Sequence, residues 1–313
     1  MHSGYNTLMD WSRVKLFYTD FAEVPMPEGH RFPMHKYRLL REALLHSQII
    51  SPTQLHPAPQ AQEVDLLRAH DERYVQGLKL GTLSEKEVRP IGLPIGPELY
   101  QRSLVSCGGF VAASESALEE GYSVLLAGGT HHAHRDRGEG FCVFNDFAVA
   151  ALRLLALQKC RRILILDLDV HQGNGNSSIL GEREDVFICS LHGERNYPFR
   201  KIPSHLDVAL AEGTSDEEYL HVLEKTLRLL PATDILLYQA GVDVLKTDKL
   251  GTFHLSQAGV RARDEMVFAW ARTHGLPVAQ AIGGGYSDPI EESIKAYVGT
   301  IQAAREIFSK RLS

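Results

Sequence analysis

Ile163-Leu-Ile-Leu-Asp-Leu-Asp-Val-His-Gln-Gly-Asn174 is an apolar run that ends abruptly in two acids and a histidine. A short run of Ile, Leu and Val bounded by polar residues reads as a buried strand. Side chains alternate along a strand, so Asp167, Asp169 and His171 share one side if the extended conformation lasts to the end of the run. A lone Asp-x-Asp at a strand end is ordinarily just solvated. His171 and the following Gly173-Asn-Gly175 tip the reading toward a metal site, because carboxylate oxygen and imidazole nitrogen both ligate zinc-like divalent ions.

Outward from this run, strand and helix patterns alternate. Strands are predicted at 14–18, 123–127, 185–191, 234–239 and 277–282. Helices are predicted at 35–45, 71–78, 102–119, 147–157 and 256–274, the fourth capped by Asn145 or Asp146. Ser215-Asp-Glu-Glu218 is a capping box opening a helix toward Leu230, and a last helix starts near Pro289. The segments 51–59 and 90–97 read as proline-rich links. Six or more alternations predict an α/β chain: a largely parallel sheet with helices on both faces, residues 1–313 forming one domain with a loop-rich N-terminal third.

Composition sets the bounds. Apolar residues make up 44% of 313, ample for a core, and 33 basic against 39 acidic residues give a net charge of −6. That balance argues against direct nucleic-acid binding and mildly for cationic ligands. Cys107, Cys142, Cys160 and Cys189 are far apart and form no Cys-x-x-Cys pair, so neither a zinc ribbon nor a disulfide framework is indicated, and a reducing, cytoplasmic setting fits. The opening Met-His-Ser-Gly-Tyr, soon followed by Asp10 and Arg13, is neither a signal peptide nor a membrane span.

Four of the strand ends carry unusual residues: His131-His132, then Asp167, Asp169 and His171, then Gln239-Ala-Gly-Val-Asp243, then Gly283-Gly-Gly-Tyr286. Each alone is an ordinary turn or polar loop. Together, at the edge where such sheets bind ligands, they form a coherent set. Asp169, His171 and Asp243 make a three-ligand metal site with open positions for water and substrate. His131 and His132 handle protons, with Asp167 and Asn174 as their partners. The glycines allow close backbone approach, and Tyr286 can donate to a developing oxyanion. The chemistry is metal-assisted amide hydrolysis. A mixed oxygen and nitrogen site takes zinc, iron(II) or cobalt with similar geometry, with zinc the default.

These motifs, with Gly140-Phe-Cys142 and Asn145-Asp146, occur in the order seen in the histone deacetylase superfamily, which the chain resembles over nearly its whole length. Pro27-Glu-Gly-His-Arg-Phe-Pro33 and Gly92-Leu-Pro94 are similar to the branch holding bacterial deacetylase-like proteins and class IV enzymes. The resemblance implies the arginase-deacetylase fold, with about eight parallel strands, and a substrate that is an acylated lysine of a peptide or protein. It matches Asp169, His171 and Asp243 to the zinc ligands. His132 corresponds to the general base and acid, His131 to its electrostatic assistant with Asp167 as partner, and Tyr286 to the carbonyl-polarising tyrosine. It also matches Gly140 and Phe141 to one wall of the acyl-lysine tunnel and Tyr197 to the opposite wall. Asp167, Asp169, His171, Ser190 and Leu191 correspond to a monovalent-cation site, usually potassium.

Three departures stand out. Asn174 stands where class I enzymes have an aspartate behind the general base, as in classes II and IV. No aspartate near 92–97 matches the one that anchors the peptide backbone in class I enzymes. Three glycines rather than four precede Tyr286. The alternatives are an acetylpolyamine amidohydrolase, for which no acidic gate loop is identifiable, a binuclear ureohydrolase, which wants more aspartates, and an inactive acyl-lysine binding subunit, which would be expected to lack a ligand, the base or the tyrosine.

Overall fold

The computed structural model describes residues 9–309. The first elements are β1 (Leu16–Tyr18), α1 (Lys36–His46), β2 (Leu55–Pro57), α2 (Glu63–Ala69), α3 (Glu72–Leu80) and α4 (Glu85–Val88). The long α5 (Pro97–Glu120) leads to β3 (Tyr122–Leu125), α6 (Asp146–Ala156), β4 (Ile163–Asp167), α7 (Asn174–Leu180), β5 (Val186–Gly193) and β6 (Leu206–Leu210). The chain continues through α8 (Asp216–Leu227), β7 (Ile235–Gln239), α9 (Gln257–Thr273), β8 (Val278–Ala281) and α10 (Glu291–Ser309). The eight strands form one parallel sheet in the order β2-β1-β3-β8-β7-β4-β5-β6.

Every residue of β4, β7 and β8 is buried, as expected of central parallel strands covered on both faces. β3 shows the two layers directly. Tyr122 lies 5.9 Å, ring to ring, from Phe268 on α9 and 5.6 Å from Phe308 on α10. Leu125, three residues on and therefore on the other face, meets α5 at Gly109. No described helix is long and apolar enough to cross a membrane. The reading of the extreme N-terminus falls largely on residues outside the described ones.

The predicted elements recur with shifted ends, and some were not anticipated. β4 stops at Asp167, so Asp169 and His171 lie in the irregular segment beyond it rather than on an extended face. The link at 51–59 contains β2, an edge strand of three residues ending at Pro57 and paired with β1. The other edge strand, β6, carries a half-exposed, alternating pattern on a stretch with no strong apolar run. α5 begins at Pro97, five residues before the predicted start, because proline there is preorganised for a first helical turn. α10 begins at Glu291, two residues beyond Pro289. Asn145 caps α6 by accepting the Ala148 N–H, and Ser215 and Glu218 form the reciprocal box that starts α8.

Candidate active site

β3, β8, β7 and β4 are neighbours at the centre of the sheet, so the four segments that leave their carboxyl ends meet at one place. The residues at 128–132, 167–174, 239–243 and 283–286 are thereby brought together from across the chain. The segment after β4 is held by hydrogen bonds that also orient Asp169 and Asp243. Asp243 accepts the Val170 N–H at 2.9 Å, and Asp169 accepts the His171 N–H at 3.0 Å and the Gly284 N–H at 2.8 Å. Gly284 must be glycine for this approach, since a Cβ there would lie 2.0 Å from the Asp243 carboxylate. Behind these segments the buried Arg263 pairs with Asp264 at 2.8 Å and donates to the carbonyls of Gly241 and Leu168, tying the segments after β4 and β7 together.

Asp169, His171 and Asp243 offer donor atoms that all lie within 4.8 Å of one another. His171 Nδ1 is 3.0 Å from Asp169 Oδ1 and 3.1 Å from Asp243 Oδ2. Three buried groups this close compete for protons. Asp243 is pushed up to about 7, by burial first and then by the Asp169 carboxylate. His171 is pushed up to about 10 because its two carboxylate partners outweigh the burial that opposes its charge. Two carboxylate oxygens and an imidazole nitrogen converging on one point fit a divalent cation, which would take the place of the shared protons.

The histidine pair sits beside this set, its ring centroids 4.1 Å apart. His131 Nδ1 donates to Asp167 at 2.7 Å, and burial, which works against its charge, is overcome by the Asp167 and Asp169 carboxylates, so the ring is pushed up to about 9. His132 Nδ1 lies 2.7 Å from Asn174 Oδ1. Burial, with His131 and His171 as further causes, pulls His132 well below the ordinary 6.5. The loop before the pair is pinned by Asp146, the first residue of α6, which accepts the Gly129 and Thr130 N–H groups at 2.8 and 2.9 Å.

Tyr286 faces the same cavity, of about 550 Å³, together with Phe141, Tyr197, both histidines, Asp169, His171 and Asp243. Burial pushes its phenol well above the ordinary value, which keeps it a proton donor. Asp248 holds its backbone by accepting the Tyr286 N–H at 2.6 Å. Beneath it, buried Lys36 lies 4.8 Å over the Tyr286 ring and donates to the Gly285 carbonyl at 3.2 Å. Phe141 sits 6.1 Å from Tyr286, ring to ring, and its φ of 66° is the left-handed backbone seen where function fixes a turn. Tyr197 meets His132 edge-on at 4.9 Å. Gly140 allows this packing, because a Cβ there would fall 2.8 Å from the His132 ring.

Every sequence-predicted metal and proton-handling residue is therefore in one place, as are Gly140, Phe141 and Tyr197. Ser190 pairs with Asp167 in the β4–β5 register, and Leu191 follows it. Cys142 is buried beside the site with its thiol pushed well above the ordinary range by burial, which suits packing rather than nucleophilic chemistry. Arg137 pairs with Asp136 at 3.0 Å, and Arg31 lines the cavity. The residues that hold the site from behind, Arg263, Lys36, Asp248 and Glu139, escaped sequence reasoning. Each acts on a segment distant in the chain, and no local pattern marks it.

Donors for a divalent ion, a neutral imidazole and a phenol around one cavity are the equipment of an amide hydrolase. The comparisons reach the same class. The histone deacetylase domain model matches residues 30–301. The chain is 38% identical over 296 residues to an uncharacterized protein of Picosynechococcus sp., covering 94% of this chain and 98% of that one. It is 30% identical over 291 residues to the histone deacetylase-like amidohydrolase of Pseudomonas aeruginosa, covering 86% and 75%. The crystal structure of an HDAC homolog from Aquifex aeolicus superimposes with a TM-score of 0.80 at 24% identity, covering 94% of this chain and 88% of that one. The chain belongs to the histone deacetylase family.

Proposed function

We propose that this protein is a zinc-dependent deacylase that removes an acyl group from the side-chain nitrogen of lysine in a peptide or protein. The observation that carries the reading is the meeting of the Asp169, His171 and Asp243 donors with a neutral His132 and with Tyr286 in one cavity. An ion held by those three donors supplies Lewis acidity toward a water and an acyl oxygen. His132 Nε2 takes the proton of the attacking water as the oxygen–carbon bond forms. Tyr286 donates to the oxygen on which charge develops, and the His131 ring, kept charged by Asp167 behind it, turns its positive Nε2 end toward Asp169. As the carbon–nitrogen bond breaks, His132 returns the proton to the departing amine, leaving a carboxylate and free lysine.

Phe141 and Tyr197 supply the aromatic walls for an aliphatic side chain. The mouth favours acyl-lysine over an acylated polyamine. It carries exposed Arg31 and Arg195, and among the described residues the cavity's carboxylates are those of Asp169 and Asp243 alone. A second ammonium group would meet positive charge there. The opposition of Ser190 and Asp167 across β4 and β5 supports a potassium ion held with Asp169, His171 and Leu191. Buried, unpaired cysteines fit the cytoplasmic setting.

The test is turnover of an acetyl-lysine peptide by the zinc-loaded protein and by Tyr286→Phe. Loss of the oxyanion donor should lower kcat by about 100-fold. Equal turnover by the variant would remove Tyr286 from the mechanism.

A further inference from the structure

The loop at 138–140, between the histidine pair and Phe141, carries a carboxylate that the catalytic scheme above does not use. Glu139 lies between two glycines, its side chain 17% exposed, and points at the back of the site. Its Oε1 accepts the Asn174 Nδ2–H at 2.8 Å. His134 Nε2 lies 3.4 Å from the same carboxylate, and Arg137 Nε lies 3.7 Å from its other oxygen. Asn174 then meets His132 through Oδ1 at 2.7 Å. His132, Asn174 and Glu139 are thus a continuous chain of hydrogen bonds.

We infer that Glu139 is a positioning residue for the general base, supplying at one remove the negative charge that an aspartate at position 174 would supply directly; this rests on the deacylase reading. The argument is one of hydrogen-bond capacity. An ionised carboxylate only accepts, so Glu139 compels the Asn174 amide to present its NH2 toward it. The amide oxygen must then face His132. An oxygen also only accepts, so His132 must carry its proton on Nδ1, which leaves the Nε2 lone pair free for the base's role. The chain passes orientation and tautomer from Glu139 to His132, and its carboxylate polarises the amide in the direction that strengthens the base. Held low by its donors, Glu139 stays ionised at neutral pH: it is brought down to about 2 against the opposing effect of burial.

The test is a mutant cycle on the zinc-loaded protein with an acetyl-lysine peptide. Glu139→Gln frees the amide to turn over and should lower kcat by about tenfold or more with KM little changed. Asn174→Asp alone sets two acceptor-only carboxylates against each other and should also lower kcat. The double variant restores a satisfied chain, because the glutamine donates to the introduced carboxylate and that carboxylate accepts from His132, so kcat should recover above both single variants. Additive losses in the double variant, or unchanged kcat in Glu139→Gln, would overturn the assignment. Nitrogen-15 spectra of the His132 ring read the tautomer without any turnover, and so separate this claim from the substrate reading. The wild type should show Nδ1 protonated and Nε2 bare, and Glu139→Gln should show a mixture. An unaltered His132 signal in that variant overturns the proposal even if the protein hydrolyses acetyl-lysine as expected.

Discussion

His131 and His132 are adjacent in the chain, similarly buried, and have ring centroids 4.1 Å apart, yet their surroundings drive them to opposite charge states. His131 touches a carboxylate directly at 2.7 Å and is pushed up to about 9. His132 touches a neutral amide at the same distance and is pulled well below 6.5. The partner decides the charge: the carboxylate keeps its buried imidazole charged, and the amide leaves its imidazole neutral. The charged His131 ring in turn adds to the burial that holds His132 down.

The comparison can be broken most sharply at the rings themselves. Replacing His132 by alanine should lower kcat by about 10²- to 10⁴-fold with metal content unchanged, and His131→Ala should cost less, as read by peptide turnover. Equal losses would mean that the two rings are not distinct. The next effect is on stability. Asp167→Ala leaves a buried charged ring without its partner and should cost about 3–5 kcal/mol in denaturant unfolding. Asn174→Ala removes hydrogen bonds from a neutral ring and should cost only about 1–2 kcal/mol. A larger loss at Asn174 would reverse the assignment of charge.

The smallest effect is in acid. Glu139 titrates near 4.5 in the unfolded chain and near 2 in the folded protein, so its contribution to stability is complete above the higher value and is lost as pH falls through the lower one. Glu139→Gln should therefore lose less stability than the wild type between these values, as followed by thermal melting. An identical acid profile would show that Glu139 is not held by its donors.

Much of this was legible because it is local. The apolar run at 163–168, the acids after it and the Ser215–Glu218 box declare themselves within a few residues, and four chemistry-bearing segments fall at the ends of predicted strands. The histidine partners could be named because Asp167 and Asn174 lie in the same segment as the ligands. What could not be read is long-range or weakly patterned. Lys36 reaches the glycines at 283–285 across about 250 positions, and Arg263 binds carbonyls from a helix whose own pattern only marks its buried face. Glu139 sits in a glycine-flanked loop, 35 positions before Asn174, and carries no signal until the loop is folded against it. β2 and β6 are edge strands, short and part-exposed, and lack the continuous apolar run that betrays β4.

The central claim is that one divalent ion at Asp169, His171 and Asp243 enables His132 to hydrolyse an acyl-lysine amide. It is tested most directly by titrating zinc into the chelated protein while following turnover of an acetyl-lysine peptide. Turnover should be absent without metal and rise to a plateau at one equivalent of zinc. A plateau at two equivalents, or turnover that survives chelation, would contradict the account.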